Sequence, residues 1–251
     1  MRRLIHRLYR LYYRGGPSAV FTGALRFLRY RYPASQVSLR SKFNKVKYSA
    51  YSDPLAVIQI SPADVNTWTD RFGTYHHIGA IRGGDWDLKA KSFETHPKYK
   101  AVKRRFVDGV SWKETGVFDY MRSRIESEGC LDGCRTPSDI GDRYSDIDVL
   151  YERIKHDGYR SHREVSSESD FEAIADEVIV NIGRDGQLVF NGTGWHRLSI
   201  AKILDIDKIP AIVGVRHKLW QTLRERLNNT NTQNVEPTLC THPDLQHIFE
   251  S

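Results

Sequence analysis

The stretch Asn191-Gly192-Thr193-Gly194-Trp195-His196-Arg197 joins two glycines to a histidine and an arginine where a turn becomes a helix. Glycines let backbone amides approach a ligand closely, and the first helical turn leaves N–H groups unpaired at its positive end. His196 and Arg197 add two donors at the same place. The stretch therefore has the parts of an anion site, and phosphate is the commonest anion to fill one. Arg197 suits bidentate phosphate binding, with a surface salt bridge as its other use. His196, largely neutral at pH 7, can donate to the same phosphate, shuttle a proton, or serve structure alone. Gly192 and Gly194 are equally compatible with simple turn geometry.

A second candidate is Arg82-Gly83-Gly84-Asp85-Trp86-Asp87, a loop in which two glycines precede two carboxylates. Phosphoryl transfer needs a base for the attacking hydroxyl and oxygen ligands for magnesium. Asp85 and Asp87 fill both roles, catalytic base and magnesium ligand, if their loop faces the phosphate turn. Alternation along an extended chain sends them to one side, with Trp86 opposite. An Asp-rich surface turn is the competing reading. Arg82 is an additional ligand-binding candidate that would help neutralise phosphate. Arg216 and His217 end the last strand, an edge where such sheets bind ligands, although capping the next helix also accounts for them.

The elements that must position these residues are legible around them. Val178 to Ile182 is apolar and β-branched, and Arg184-Asp185-Gly186 is a tight-turn signal. Leu188-Val189-Phe190 gives a second strand, a helix starts near Trp195, and Ile209 to Val215 gives the next strand. Upstream, 54–60 and 76–81 read as strands, and 37–51 as a basic, poorly periodic crossing segment. Residues 97–128 are helical in pattern, with Ser111 and Glu114 spaced as a capping box for the second of two helices. Pro137 to Asp157 is a further helix stopped by Gly158. A last amphipathic helix covers 216–227, and the tail beyond it is polar.

The run Gly194-Trp195-His196-Arg197-Leu198, then Ala201, then Ile209-Pro210 and a strand, resembles the core of the ParB/sulfiredoxin superfamily. Leu150 to Gly158 is similar to the short helix preceding the sheet in ParB-type domains. The resemblance spans roughly residues 145–220, and more loosely 79–87. It implies a mixed α/β fold in which a G-x-x-R turn holds nucleotide phosphates, here through residues 191–197, with ATP or ADP and Mg2+ as cofactors. Sulfiredoxins carry a cysteine where Trp195 stands, so the thiol for sulfinic-acid reduction is missing. Partitioning proteins have an acidic residue there and a downstream helix-turn-helix domain, for which about 30 residues after Trp220 are too few. The free-serine kinase pattern, with His before Arg, matches better. The whole chain, with its Gly-Gly-Asp-Trp-Asp and Arg216-His217, also resembles proteins encoded beside polysaccharide-assembly genes, which makes glycan-assembly enzymes candidate partners.

The 251 residues suffice for one good core plus long insertions. No apolar run is long enough to span a membrane. Three cysteines make no disulfide framework, and Cys130, Cys134, Cys240 and His242 match no standard zinc knuckle. A reducing cytoplasm is the simplest setting. The net charge of +7 is uneven: residues 1–52 contain twelve Lys or Arg and no Asp or Glu, leaving 26 basic and 31 acidic side chains in the rest. Within residues 2–31, Leu4, Ile5, Leu8, Leu11 and Tyr12 share a helical side opposite Arg3, Arg7, Arg10 and Arg14. Such a helix lies among lipid headgroups, so an anionic membrane surface is the expected partner of the arm. Docking on the body is its other use. The mildly acidic body argues against nucleic acid.

Together these observations predict a cytoplasmic, peripherally membrane-bound α/β protein in three parts. They are a basic amphipathic arm (1–52), a ParB/sulfiredoxin-like domain (53–227) with a helical insertion at about 97–136, and a polar tail (228–251). The expected function is nucleotide-dependent phosphotransfer to a hydroxyl of a small molecule or glycan intermediate. A non-enzymatic nucleotide-binding regulator or scaffold of glycan assembly, and a ParB-type DNA-binding or nuclease protein, are the alternatives.

Overall fold

The structure, a computed structural model, describes residues 33–72, 75–161, 177–229 and 235–249. The amphipathic arm expected over residues 2–31 and the polar run at 230–234 lie outside the described residues. Seven short strands form one mixed sheet: β1 (Val57–Ile60), β2 (Thr67–Trp68), β3 (Ala80–Arg82), β4 (Lys91–Ser92), β5 (Val178–Ile182), β6 (Leu188–Phe190) and β7 (Ile209–His217). Their order is β1-β7-β5-β6-β2-β4, with β3 also paired to β7. β7 is parallel to β5 and β3 and antiparallel to β1, while β5 and β6 form an antiparallel hairpin. Every residue of β5, β6 and β7 is buried, as their unbroken apolar character predicts for central strands.

The helices among the described residues are α1 (Pro33–Lys47), α2 (Pro97–Phe106), α3 (Val117–Glu128), α4 (Pro137–Asp157), α5 (Trp195–Ile203), α6 (Lys218–Asn228), α7 (Pro237–Cys240) and α8 (Gln246–Phe249). None is long and apolar enough to cross a membrane. On one sheet face Val178, Val180, Phe190, Ile209, Ala211 and Val213 pack with Leu198 and Ala201 of α5 and Trp220 and Leu227 of α6. The other face holds Ile179 and Ile212 against Val37 of α1, and Val189 and Val215 against Ala80 and Trp86. Ile200 belongs to a second cluster, with Ala101, Val102, Met121, Tyr144, Ile147 and Ile154. Helix α5 is thus a middle layer, with the sheet on one side and the α2–α4 helices on the other.

Local signals explain most element ends. α4 begins at a reciprocal box between Thr136 and Asp139, has Pro137 in its first turn, and stops at Gly158 with φ 78°. Four expectations need correction. Residues 76–81 are not one strand: Tyr75–His77 form a single tight helical turn, and β3 begins only at Ala80. Residues 37–51 are not an extended segment but mostly the helix α1, whose docked side is held by hydrogen bonds: Arg40 donates to the carbonyls of Ile78 (2.5 Å) and His76 (2.9 Å), and Asn44 to that of Gly79 (2.8 Å). The Ser111–Glu114 box forms, but it closes a turn; α3 starts later, behind Gly116 at φ 81°. Residues 228–251 do not read correctly as a polar tail, because 235–249 fold back and bury Leu245 and Ile248 in the main core.

Candidate functional site

The β6–α5 turn forms where the sequence placed it. Gly192 and Gly194 have φ of 103° and 87°, and Asn191 Oδ1 accepts from the backbone N–H of Thr193 at 3.1 Å. Gly194 is required twice over, by its left-handed backbone and by Val178, whose Cγ2 and Cα would stand 3.0 and 3.2 Å from an added Cβ. Gly194 is also the N-cap of α5 and offers no side-chain acceptor. The first N–H groups of α5 are thereby left for another partner.

Residues 192–197 line a cavity of about 760 Å3 together with Lys98 from α2, Asp132 from the α3–α4 loop, and Arg143 and Arg153 from α4. Arg160 and Asp157 also line it, so its walls carry Lys98 and four arginines against two aspartates. A helix N-terminus and a surplus of cations favour the same sign of ligand, an anion. The volume falls within the range of small-molecule and cofactor pockets.

Inside, the side chains are ordered by a few strong contacts. Lys98, almost fully buried, places Nζ 2.5 Å from Asp132 Oδ2. Burial pushes the Lys98 ammonium below its usual range, against the pull of Asp132. Burial pushes the Asp132 carboxyl up, but the adjacent Lys98 charge and hydrogen bond outweigh it and leave the carboxyl below its usual range. Asp132-Gly133 supplies the two left-handed residues (φ 50° and 84°) of a tight turn closed by reciprocal Leu131–Cys134 backbone bonds, which fixes the carboxylate's position.

His196 is buried, and its Nε2 has no hydrogen-bond partner. Burial first, then the Lys98 charge, depress its pKa to about 3, so the imidazole is neutral at physiological pH. The ring of Tyr144 stands perpendicular to it, 5.6 Å between centroids, and the Tyr144 hydroxyl is also buried without a partner. Of these two side chains His196 also lines the cavity, so its ring keeps hydrogen-bonding capacity beside the open volume. Trp195 does different work. Its ring stacks on His96 (3.7 Å) and Phe93 (4.9 Å), with Trp68 and Phe190 at its edges, pinning the start of α5 to the core.

Arg197 is committed in part. Its guanidinium lies 3.4 Å from the buried carboxylate of Glu177, donates to the Arg160 carbonyl, and sits 4.6 Å above the Tyr159 ring. The salt-bridge use and the cavity position thus coexist, since Arg197 also lines the cavity.

The structure does not bring Asp85 and Asp87 to this turn. They follow β3, which pairs with the far end of β7, and both reach Arg184 beyond the end of β5. Asp87 Oδ2 accepts from the backbone N and Nε of Arg184, and Oδ1 accepts from Nη2, each at 2.9 Å. Burial pushes the Asp87 carboxyl up, but the Arg184 hydrogen bonds win and hold it at about 2. With both oxygens already used by a guanidinium, Asp87 does not fit the role of base or magnesium ligand for this cavity. The sequence missed Arg184 as their partner because 97 residues separate it from Asp87.

The remaining candidates also lie away from the cavity. Arg82 is exposed at the end of β3. Arg216 binds the buried carboxylate of Asp244, which also takes Arg224 (2.8 Å) and the Trp220 Nε1–H (2.9 Å). His217 is the N-cap of α6: Nδ1 accepts from the Leu219 N–H at 3.1 Å, and Nε2–H donates to the Gly84 carbonyl at 2.9 Å. Capping and fold closure therefore account for Arg216 and His217. His242 likewise uses both ring nitrogens, on the Gly186 carbonyl and the Asp244 N–H, which leaves none for a zinc ion with the cysteines.

The cavity residues that sequence reasoning passed over are Lys98, Asp132 and Arg143, with Tyr144 packed against His196 behind them. One signal was available: Pro97-Lys98-Tyr99-Lys100 puts cations in the first turn of a helix, against its dipole. No family model, curated protein or solved structure matches the chain.

Proposed function

We propose that the cavity at the start of α5 binds the phosphates of a nucleotide, and that the chain is a phosphotransferase of ParB/sulfiredoxin type acting on a hydroxyl of a small molecule or glycan intermediate. The observation that carries this reading is the uncapped helix start opening into a cavity with five cationic side chains and an unpaired, neutral His196. The resemblance of the Gly194-to-Arg197 turn to the family's phosphate turn supports it independently.

In this scheme the amides at the start of α5, with Lys98 and Arg143, hold phosphate oxygens. His196 donates a hydrogen bond or takes a proton as the bound anion raises its basicity. Asp132 replaces Asp85 and Asp87 as the carboxylate for the acceptor hydroxyl or for magnesium, whose chemistry would be to neutralise charge on the phosphates. Binding without transfer is the second reading. It is favoured by the Lys98–Asp132 pair, because a carboxylate held below its usual range is a weak base.

Calorimetric titration of the full chain with ATP, ADP, CTP and GTP plus magnesium, beside Lys98→Met, tests the site. Binding by the parent and roughly 30-fold weaker binding by the variant is the expected result. Absence of binding by every nucleotide would remove the proposal. Binding without nucleotide turnover across a panel of hydroxyl acceptors would leave the second reading in its place.

A further inference from the structure

We infer that α1 is a docking face for an anionic lipid surface, through Leu39, Phe43 and Val46 rimmed by Lys42, Lys45 and Lys47. The inference does not depend on the phosphate site. The orientation of α1 is fixed: Val37 is buried against Ile179 and Ile212, and Arg40 and Asn44 hydrogen-bond carbonyls of the segment before β3. The side turned away from these contacts is not filled with polar residues. Leu39, Phe43 and Val46 are 70, 61 and 90 % exposed, at spacings of four and three that put them on one helical face. Seven large hydrophobic residues are exposed among the described residues. Three of these sit on α1 and the other four on different elements, so α1 carries a patch where the others are single side chains.

Charge selects the occupant. Lys42, Lys45 and Lys47 are exposed beside the apolar three, and Lys47 Nζ lies 5.5 Å from the Phe43 ring centroid. Helix α1 contains no acidic residue. None occurs anywhere in residues 1–52, where eight further arginines precede the helix. Long lysine stems around apolar tips suit the boundary between headgroups and acyl chains, where the stems lie along hydrocarbon and the ammonium groups reach phosphate. The surface is one convex helix face rather than a groove, which fits a flat, fluid partner better than an inserted peptide.

Flotation of the full chain with vesicles of phosphatidylcholine alone, or with a third phosphatidylserine, tests the inference. The chain is expected to float with the anionic vesicles and to stay behind with the neutral ones. Phe43→Glu/Val46→Glu and, separately, Lys42→Glu/Lys45→Glu should each reduce anionic-vesicle partitioning at least tenfold. All four side chains are exposed, so both variants should keep the parent's circular dichroism and melting temperature. Their nucleotide titrations should also match the parent, which separates this test from that of the phosphate site. Equal flotation by parent and variants would overturn the inference and leave binding to residues 1–32. Equal binding to neutral vesicles, or none to either, would also overturn it. So would light scattering that shows a dimer dissociated by Phe43→Glu/Val46→Glu, because the face would then be a contact between copies.

Discussion

The two ends of β5 carry similar chemical inventories and use them in opposite ways. Past Ile182, two aspartates meet one arginine, and every oxygen of Asp87 is satisfied by Arg184. Before Val178, at the Gly194 turn, Lys98, Asp132, His196 and four arginines surround open volume, and His196 Nε2 and the Tyr144 hydroxyl are left unpaired. The ends of this five-residue strand are roughly 13 Å apart by the rise of an extended chain. Ionisable residues that satisfy one another close a fold. Those held near each other with capacity to spare leave room for a ligand. The contrast lies in what is left unpaired, not in residue type.

The widest separation between the ends should come from Asp87→Ala, which takes the acceptor from the backbone N–H and Nε of Arg184 and leaves its Nη2 only Asp85 and the Gly84 carbonyl. A loss of about 2 kcal/mol in urea unfolding is expected, the worth of charged hydrogen bonds lost where Asp85 still offsets part of the charge. Nucleotide affinity should not change. If affinity falls together with stability, the two ends are coupled and the contrast fails. Lys98→Met should do the reverse. It should weaken nucleotide binding by about 2 kcal/mol, the worth of a charged hydrogen bond, with a smaller effect on unfolding because the Asp132 side chain keeps 24 % exposure and can rehydrate.

Acid should reveal the open end next. His196 titrates near its usual 6.5 when unfolded and near 3 when folded, so the unfolded chain binds the extra proton between those values. Stability from this group is complete above pH 6.5 and falls as pH drops toward 3, by about 1.4 kcal/mol per pH unit where the difference is full. His96, depressed to about 3 by burial and by Lys98, adds in the same direction. His196→Gln should flatten the acid limb of a urea series, and nucleotide binding near pH 6 should take up protons in the parent only. The smallest effect belongs to Asp85→Ala. Its side chain is 66 % exposed in the pair with Arg184, so under about 0.5 kcal/mol should be lost.

The sequence made local features readable and left distant pairings hidden. Val178–Ile182, the hairpin turn, α4 with its Thr136 box and Gly158 stop, and the Gly194 helix start are each written in adjacent residues. Helix α1 escaped because its docked side is Val37, Arg40 and Asn44, which is held largely by hydrogen bonds, while its apolar residues face out; the usual periodic signal is inverted. The last segment escaped for a related reason. Leu245 and Ile248 are too few to read as a core element without Asp244, whose partners lie 20 to 28 residues back. At the site, the turn was legible, but Lys98 and Asp132 are 34 residues apart, and only the packing of α2 and the α3–α4 loop against α5 brings them to it.

Asp244 also ties the burial of two upstream cations to a carboxylate that follows them in the chain. Arg216 lies in the central strand β7 and Arg224 in α6, and both are buried on this one carboxylate. While a ribosome is still adding the residues around 244, both cations lack this carboxylate, and burying a guanidinium without its counter-charge is costly. Stable burial of the end of β7 is therefore expected to wait for the emergence of Asp244 rather than to follow directly on that of β7 itself. A chain stalled with Asp244 inside the tunnel should expose β7 to protease, and releasing a few more residues should protect it.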